Sequence, residues 1–473
     1  MRRRRRTERR GGREAPSLVD VMAQKSRQTL ELPLEGRGDA LRVERCERTS
    51  AAAKEPDRPG TGSLMAEALE RRNLQRALKR VKKNGGSPGI DGMTVGDLPA
   101  WLREHWPRVR ADLLAGTYRP APVRRASIPK RGGGERELGI PTVLDRLIQQ
   151  ALLQVLQPRF DPTFSEHSHG FRPGRRAHDA VRQARRYVQD GRRWVVDVDV
   201  EKFFDRVNHD VLMGRLARRI EDRQMLRLIR RYLDAGMMAN GVVVMRHEGT
   251  PQGGPLSPLL ANVLLDEVDK ELERRGHAFV RYADDLRVFV SSKKAGERVM
   301  RSLVRLFGTL RLRINESKSA VDRAWNRPFL GFAFWVGSKR EVRVKVARKA
   351  LVAMKDRVRS ITKRSRGRSL VEITKELRSY LLGWKGYFQL ATTPKVFGRL
   401  DEWIRHRLRA YQLKQWKRGR TVFRELRARG ATEDVARQVA SNARRWWRNS
   451  AMKIHIALPN AYFDRLGVPR LAT

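Results

Sequence analysis

Two short stretches that combine apolar and acidic residues constrain the fold of this chain more than any other feature. In residues 194–200, Asp197 and Asp199 alternate with valines, a period of two that predicts a strand with one apolar and one acidic face. Downstream, Tyr282-Ala283-Asp284-Asp285 lies between two apolar runs, as at the tip of a β-hairpin. We expect these acidic strands to pair and to share metal ions.

The middle of the chain alternates between strands and helices too irregularly for a doubly wound parallel sheet. The sequence therefore predicts the α+β class, with an antiparallel sheet that carries helices on one face. A basic hairpin is expected at residues 123–138, followed by a helix from about Thr142 that stops at Pro158. A further helix is expected from Pro258 with Ser257 as its cap, and the pattern after Val346 is helical and basic.

Charge narrows the class of partner. The 473 residues include 102 Lys and Arg against 52 Asp and Glu, a net charge of +50. Residues 339–473 hold 35 Lys and Arg against 10 Asp and Glu, which is +25, half of the excess. Since no apolar run of the sequence is long enough to span a membrane, nucleic acid is the favoured polyanion. The alternative is a solvated helical surface.

The acidic strands suit one reaction in particular. Nucleotidyl transfer uses two divalent ions, one to lower the pKa of the attacking 3′-OH and one to steady the triphosphate. Carboxylates are the ligands that Mg²⁺ prefers, and Asp199 with Asp284 and Asp285 would supply them. The alternative is that these acids are surface charges beside basic neighbours, although apolar residues flank both stretches.

Eight segments of the chain follow one another in the order of a known family. They are GSPGIDGMTV (86–95), IPKRGGGERELGIPTVLDRLIQQAL (128–152), SHGFRPGRRAHDAV (168–181), VDVDVEKFFDRVNHDVL (196–212), GTPQGGPLSPLLANVLLDEVDKEL (249–272), FVRYADD (279–285), LRINESKS (312–319) and FLGFAF (329–334). Through these segments the chain resembles the reverse transcriptases encoded by bacterial group II introns. The resemblance implies a right-hand polymerase, with fingers and palm ahead of an all-α basic thumb and maturase domain.

For the palm, the resemblance implies that Asp199 is the metal ligand of the first strand, with the carbonyl of Val200 beside it. Asp284 becomes the second bridging ligand and Asp285 a weaker, outer one. Asp197 is the less favoured candidate on its strand. Two Mg²⁺ ions and dNTP substrates are the implied cofactors.

Three residues are expected near the sugar of the incoming nucleotide. Phe204 lies five positions after Asp199, where the family places an aromatic ring against C2′ to favour dNTP over rNTP; the alternative is a core residue. Gln252 resembles the family residue that contacts the sugar, and the glycines that follow it, Gly253 first, allow the backbone to approach the nucleotide.

The fingers and the palm also supply candidate basic residues. Lys130 and Arg136 would hold the triphosphate from the two strands of the basic hairpin. Lys318 matches a family lysine that donates a proton to pyrophosphate; the alternative is a surface lysine. Arg172 and Arg175 resemble template contacts.

The last third resembles the thumb and maturase region, most clearly at residues 377–388 and 405–416. Lys385, Arg405 and Lys414 are its implied RNA-binding residues, whereas most of its aromatic rings are expected in the core. The implied partners are the chain's own group II intron RNA, whose splicing and mobility it assists, an RNA template with a DNA primer, and target DNA.

The expected domains are a disordered basic extension over 1–62, fingers and palm over 63–338, and thumb with maturase domain over 339–473. Because the chain stops at Thr473 and its single cysteine is Cys46, we expect the compact class without an H-N-H nuclease. The introns of this class are expected to insert into DNA without cutting the second DNA strand themselves and to take a primer from existing DNA. A cytoplasmic, nucleoid-associated bacterial protein is expected, without membrane attachment.

Two other functions fit the same residues. One is a domesticated reverse transcriptase, used in DNA repair or phage defence without an intron partner. The other is a non-catalytic RNA-binding splicing cofactor, against which the intact acidic strands argue.

Overall fold

The structure, a computed structural model, describes residues 63–129, 135–239, 242–244, 248–250, 253–365, 367–451 and 453–472. The disorder predicted for residues 1–62 lies outside these ranges. The described chain forms two compact units. Unit 1 consists of the described residues within 63–180 and 194–322, and unit 2 of those within 181–193 and 323–472.

The helices of unit 1 are interrupted by short strands. They are α1 (Leu64–Ala68), α2 (Arg71–Asn84), α3 (Leu98–Ala115), α4 (Val143–Phe160), α5 (Ala177–Gln189, which continues into unit 2), α6 (His209–Ala217), α7 (Arg223–Asp234), α8 (Ser257–Arg274) and α9 (Lys293–Thr309), with 3₁₀ turns at Asp161–Thr163 and Phe203–Asp205.

Several helices begin at a residue whose side chain caps the first turn, and others do not. Ser63 caps α1, since its hydroxyl accepts a hydrogen bond from Ala66 N. Thr142 caps α4 in the same way. The predicted stop at Pro158 is wrong: Pro158 lies in the last turn, where its missing N–H costs one hydrogen bond, and α4 continues to Phe160. Ser257 is the first residue of α8 rather than its cap.

Unit 1 contains two four-stranded sheets. The first, in the order β2-β1-β4-β5, consists of β1 (Val123–Pro129), β2 (Glu135–Ile140), β4 (Met237–Ala239) and β5 (Val242–Val244). The second, in the order β6-β7-β3-β8, consists of β3 (Trp194–Val198), β6 (Ala278–Tyr282), β7 (Asp285–Val290) and β8 (Ala320–Arg323). The predicted basic hairpin is confirmed by the antiparallel pairing of β1 with β2.

The acidic strands pair as the sequence predicts. β3 is antiparallel to β7, with Val196 opposite Val288 and Asp197 opposite Arg287, so one face of the pair is apolar and the other charged. Helix α9 covers the apolar face. A Cβ atom on Gly296 would lie 2.5 Å from Val321 Cγ1, so only glycine allows α9 to approach the sheet this closely.

Unit 2 begins with a hairpin and continues as helices. The hairpin is β9 (Phe332–Val336) with β10 (Val342–Val346); the helices are α10 (Arg348–Ile361), α11 (Leu370–Phe388), α12 (Pro394–Trp416), α13 (Gly419–Ala428), α14 (Glu433–Ser441), α15 (Trp446–Asn449) and α16 (Asn460–Arg465), with a 3₁₀ turn at Lys453–His455. Residues 323–338 cluster with unit 2, and the expected domain boundary at 338 stays a prediction. Among the described helices, none is long and apolar enough to cross a bilayer.

Candidate active site

The acidic tetrad forms the turn between β6 and β7. Tyr282 pairs with Asp285 at the end of the ladder, which leaves Ala283 and Asp284 as a two-residue turn and confirms the predicted hairpin. Ala283 adopts a left-handed backbone conformation with φ 59°, which costs an L-residue about 1–2 kcal/mol. Asp284 is exposed at the tip and Asp285 is half-buried.

Asp199 directly follows β3 and is held through its backbone. Its N–H donates to Ser319 Oγ at 3.0 Å, and its carbonyl accepts from Asn315 N at 2.8 Å. Val200 forms a β-bridge with Ile314. The two hydrogen bonds of this bridge are made by the neighbouring residues, Asp199 with Asn315 and Glu201 with Arg313, so the Val200 carbonyl takes no part in them. These bonds fix the backbone and leave the Asp199 carboxylate half-exposed.

The register of the sheet brings the two acidic stretches to one end. Val198 pairs with Leu286, so the residue after Val198 and the residues before Leu286 lie at the same end of the paired strands. Asp199 therefore lies at the end of the sheet that carries Asp284 and Asp285.

The donor atoms at this end suit Mg²⁺ because they are carboxylate oxygens, with the Val200 carbonyl in addition. Within the described ranges, however, no three Asp, Glu, His or Cys side chains lie close enough together to hold a metal ion. The donor type and the sheet register fit the predicted metal site, and the assignment of Asp199, Val200, Asp284 and Asp285 as its ligands stays a prediction.

Lys318 lies beside the first of these carboxylates. Its Nζ is 3.5 Å from Asp199 Oδ2, and both side chains are largely exposed, at 67% and 47%. An exposed pair of this kind contributes little to stability. Its position matters more, because it places an ammonium group at the acidic end of the sheet.

Arg287 joins the two acidic strands on their charged face. Its guanidinium contacts Asp197 Oδ1 at 3.1 Å and Asp285 Oδ1 at 3.3 Å, and only 7% of the side chain is exposed. Burial raises the pKa of Asp285 to about 6; Arg287 opposes this rise, while Asp197 and Asp284 add to it. Asp197 is therefore a partner of Arg287, consistent with its lower rank as a metal ligand.

A buried polar network holds the turn of the tetrad. Arg281 is fully buried, with Nε 2.8 Å from Asp269 Oδ1 and with Nη1 donating to Asn262 Oδ1 and to the Ala283 carbonyl, both at 2.9 Å. Asn262 Nδ2 in turn donates to the Gly170 carbonyl at 3.0 Å. A Cβ atom on Gly170 would lie 2.0 Å from Ala283 N, so glycine is required there.

The predicted nucleotide-binding residues are only partly described. Phe204 is 8% exposed and packs in the main hydrophobic core of unit 1, edge-to-face on Phe203 with ring centroids 5.1 Å apart. Gly253 has φ 146° and lies so close to the end of β2 that a Cβ atom would meet the Gly139 carbonyl at 2.5 Å. Lys130, Gln252 and the side chain of Arg136 lie outside the described part of the chain.

The structure does not support a template contact for Arg172. Its guanidinium is 3% exposed and bonds Asp161 Oδ1 at 2.9 Å as well as the backbone carbonyls of Asp161, Ser165 and Ser168. These contacts make Arg172 a structural residue of the loop between α4 and α5, because every face of the guanidinium is engaged internally. Arg175 is more accessible, at 22%, and pairs with Glu166 at 2.8 Å.

The predicted RNA-binding residues of unit 2 also differ from one another. Arg405 is 1% exposed and pairs with Asp401 and Asp464, at 3.2 Å and 2.9 Å, so its role is structural and the predicted RNA contact is not supported. Lys385 Nζ donates to the Arg470 carbonyl at 2.8 Å. Lys414 lies over the Trp446 ring. Trp384 and Phe388 are buried, as expected for core rings.

Sequence reasoning missed Arg281, Asp269 and Arg287. A usable signal was present: Arg281 and Arg287 interrupt the apolar strands on either side of the tetrad, and Asp269 lies on α8, a helix whose residues are mostly buried. Charged residues in such positions are expected to pair with one another.

Comparison with known proteins identifies both units. Residues 128–334 match the reverse transcriptase (RNA-dependent DNA polymerase) family, and residues 351–430 match the group II intron, maturase-specific domain. The chain is 34% identical over 278 residues to the protein YkfC of Escherichia coli strain K12, covering 50% of this chain and 73% of YkfC.

Two further similarities cover smaller parts of other proteins. The group II intron-encoded protein LtrA of Lactococcus lactis subsp. cremoris is 43% identical over 164 residues, 34% of this chain and 27% of LtrA. A chain of the solved partial Cas6-RT-Cas1–Cas2 complex is 25% identical with a TM-score of 0.36, covering 53% of this chain and 43% of that one.

The fold and the family matches indicate the same family. Unit 1 has the α+β fold with an antiparallel acidic sheet, and unit 2 is helical and basic, as the two family matches imply. The chain belongs to the family of group II intron-encoded reverse transcriptases, RNA-directed DNA polymerases that carry a maturase domain.

Proposed function

We propose that unit 1 extends a DNA primer on an RNA template, with Asp199 and Asp284 as the principal metal ligands and the Val200 carbonyl and Asp285 as secondary ones. The observation that carries this proposal is the antiparallel register of β3 and β7, with Val198 opposite Leu286, which brings Asp199 to the end of the sheet where Asp284 forms the hairpin tip. When bound, two Mg²⁺ ions would lower the pKa of the primer 3′-OH and neutralise the triphosphate.

The chain's own residues would act around that centre. Lys318, beside Asp199, would deliver a proton to the leaving pyrophosphate. Lys130 and Arg136 on the basic hairpin would hold the triphosphate, Gln252 and Gly253 would lie along the sugar, and Phe204 would favour dNTP over rNTP.

Primer extension on an RNA template tests the proposal. Asp284→Asn removes one charge but keeps the side-chain shape, so extension should fall by at least about 100-fold. Asp190→Asn, at an exposed carboxylate outside both acidic strands, is the matched control and should extend normally. Wild-type activity in Asp284→Asn would overturn the assignment.

We also propose that unit 2 binds the group II intron RNA that encodes this chain. By binding it, unit 2 would assist splicing of the intron and its mobility at target DNA, and the protein would be associated with the nucleoid. The support is the maturase-specific match over residues 351–430 together with the basic composition of residues 339–473. The parent intron should bind more tightly than an unrelated structured RNA, with a strong salt dependence. Equal affinity for both RNAs would count against this role and favour a domesticated polymerase without an intron partner.

A further inference from the structure

Two overlapping groups can be distinguished among the arginines and lysines of unit 2 by what their side chains contact; Arg429 belongs to both, since it pairs with Glu425 at 2.6 Å and lies over Trp416. In the first group the cation pairs with a carboxylate, as in Arg437 with Glu433 one helical turn away. The carboxylate offsets the charge of such a residue. In the second group the cation lies over the face of a tryptophan ring, and the ring carries no charge to offset it.

Trp403, on α12, is the first such ring. Lys355 Nζ, Arg359 Cζ and Arg407 Cζ lie 5.8 Å, 5.7 Å and 5.4 Å from its centroid. All three distances are within the range of a cation–π interaction, which orders the side chains while leaving their positive charge in place.

Trp446, on α15, is the second ring. Arg364 Cζ lies 5.5 Å and Lys414 Nζ 5.1 Å from its centroid. The Nε1–H of Trp446 is buried and, among the described residues, has no hydrogen-bond acceptor.

We call Lys355, Arg359, Arg364, Arg407 and Lys414 the indole cation cluster. Arg359 has an acidic partner in this cluster, Asp356 at 2.6 Å. Within the described residues, the other four cations have no carboxylate within ion-pair distance. The cluster therefore combines side chains that are ordered in advance with a charge that the protein itself does not neutralise.

Arg407, over Trp403, also experiences the positive charge of Arg364, which lies over Trp446. Its Nε donates to Thr362 Oγ1 at 2.8 Å, which fixes the guanidinium in a half-buried position. Burial, together with the positive charges of Arg364 and Arg359, lowers the pKa of Arg407 to about 10. The group stays charged at neutral pH, so the crowded like charges cost free energy that a bound anion would recover.

We propose that Arg359, Arg364 and Arg407 form a binding site for backbone phosphates of RNA, with Lys355 and Lys414 as its flanking cations. All five residues lie within the segment that matches the maturase-specific domain, and the inference rests on the proposed binding of intron RNA by unit 2. It selects as RNA contacts those basic residues of unit 2 that lie over Trp403 and Trp446; of these, Arg359 also pairs with Asp356, so its charge is partly offset.

The test is the salt dependence of RNA binding by the full chain, measured with a labelled RNA hairpin. Removing one phosphate-binding cation lowers the slope of log K against log salt by about 0.7 to 0.9. Arg364→Gln and Arg407→Gln should each lower the slope by this amount, and the double variant by about twice as much. Arg407→Lys keeps the charge and should retain the slope.

The matched control is Arg437→Gln, which removes the same charge from the same unit. Arg437 is 70% exposed, so simple accessibility would make it the better RNA contact, whereas carboxylate pairing predicts almost no change of slope. An equal change in Arg437→Gln and Arg407→Gln, or no change in Arg364→Gln, would overturn the proposed site.

Two further outcomes distinguish failure of the proposed phosphate site from failure of the proposed RNA binding by unit 2. If the wild-type chain shows no salt-sensitive RNA binding, the proposed maturase function fails before the site is tested. If the variants lower the slope equally for a DNA hairpin of the same sequence, the cluster binds nucleic-acid phosphates in general and the assignment to RNA is wrong.

Discussion

Ala283 combines an unfavourable backbone conformation with a position next to a proposed metal ligand. Its φ of 59° is tolerated because its carbonyl accepts a hydrogen bond from Arg281, which is itself held by Asp269 and Asn262. Removing one member of a buried ion pair costs about 3–5 kcal/mol, whereas replacing both members by apolar residues is often neutral. We therefore expect that Arg281 and Asp269 can be replaced together by apolar residues without unfolding the sheet.

This network predicts a rescue at the turn. Arg281→Met combined with Asp269→Leu should keep a melting temperature near that of the wild type but slow primer extension about 10- to 100-fold, because Asp284 is no longer positioned. Adding Ala283→Gly, which adopts the left-handed conformation freely, should recover part of the rate. Normal extension in the double variant, or no recovery with glycine, would show that the network does not position the turn.

Asp285 predicts a pH dependence of stability in metal-free protein. Its folded pKa of about 6 lies above the ordinary value of 3.8, so the folded state binds the proton more tightly. The resulting stabilisation is complete below 3.8 and is lost as the pH rises through about 6. Relative to Asp285→Asn, the wild-type melting temperature in EDTA should therefore fall as the pH rises through this window, and Mg²⁺, which favours the ionised carboxylate, should change that profile. A constant difference between the two proteins would contradict the raised pKa.

At this scale the sequence singles out candidate carboxylates more readily than it distinguishes one arginine from another. Asp199, Asp284 and Asp285 stand out because acids inside apolar strands are unusual. Arg172 and Arg405 look like any other basic residue in a chain with 102 lysines and arginines, and only the folded structure shows that each is enclosed by carboxylates and carbonyls.

Among the elements, the start of α4 is the point where several parts of unit 1 meet. Asp145, in the first turn of α4, is buried and accepts hydrogen bonds from Tyr118 Oη at 2.9 Å, Tyr232 Oη at 3.2 Å, Ala121 N at 3.2 Å and Thr142 Oγ1 at 2.7 Å. Through these hydrogen bonds, Asp145 connects α4 both to the segment that precedes β1 and to helix α7. Burial raises the pKa of Asp145 despite these four donors.

Asp145→Asn should destabilise unit 1 by about 1–3 kcal/mol, because the amide group turns one acceptor into a donor that faces another donor. The melting temperature measures this loss, and Glu104→Gln, at a carboxylate on α3 that is 81% exposed, serves as a control. Equal stability of the Asp145→Asn variant and the wild type would mean that the carboxyl group is neutral and not an acceptor for all four donors.

Elements with a clear period were predictable, and their ends were less so. The alternation of β3 and the helical pattern after Val346 both match the structure. Pro158 predicts a helix stop, but it lies in the last turn of α4. A proline there removes only one hydrogen bond, and the buried neighbours on α4 offset this cost. Residues 323–338 cluster with unit 2 through tertiary contacts, which a local sequence pattern does not show.

For the whole molecule, a net charge of +50 predicted a polyanion partner but did not identify the residues that bind it. In the fold some cations are offset by carboxylates, and others lie over tryptophan rings with no carboxylate partner among the described residues. Such a division depends on which helices pack together, so composition and spacing alone could not reveal it.

The central claim is that Asp199 and Asp284 act together at one polymerase centre. Single-nucleotide incorporation on an RNA template, measured for Asp199→Asn, Asp284→Asn and the double variant, tests it most directly. Groups that act as a unit are strongly non-additive, so each single variant should lose most of the rate and the double variant should be no slower than either. Losses that multiply in the double variant, or a single variant with the wild-type rate, would contradict the claim.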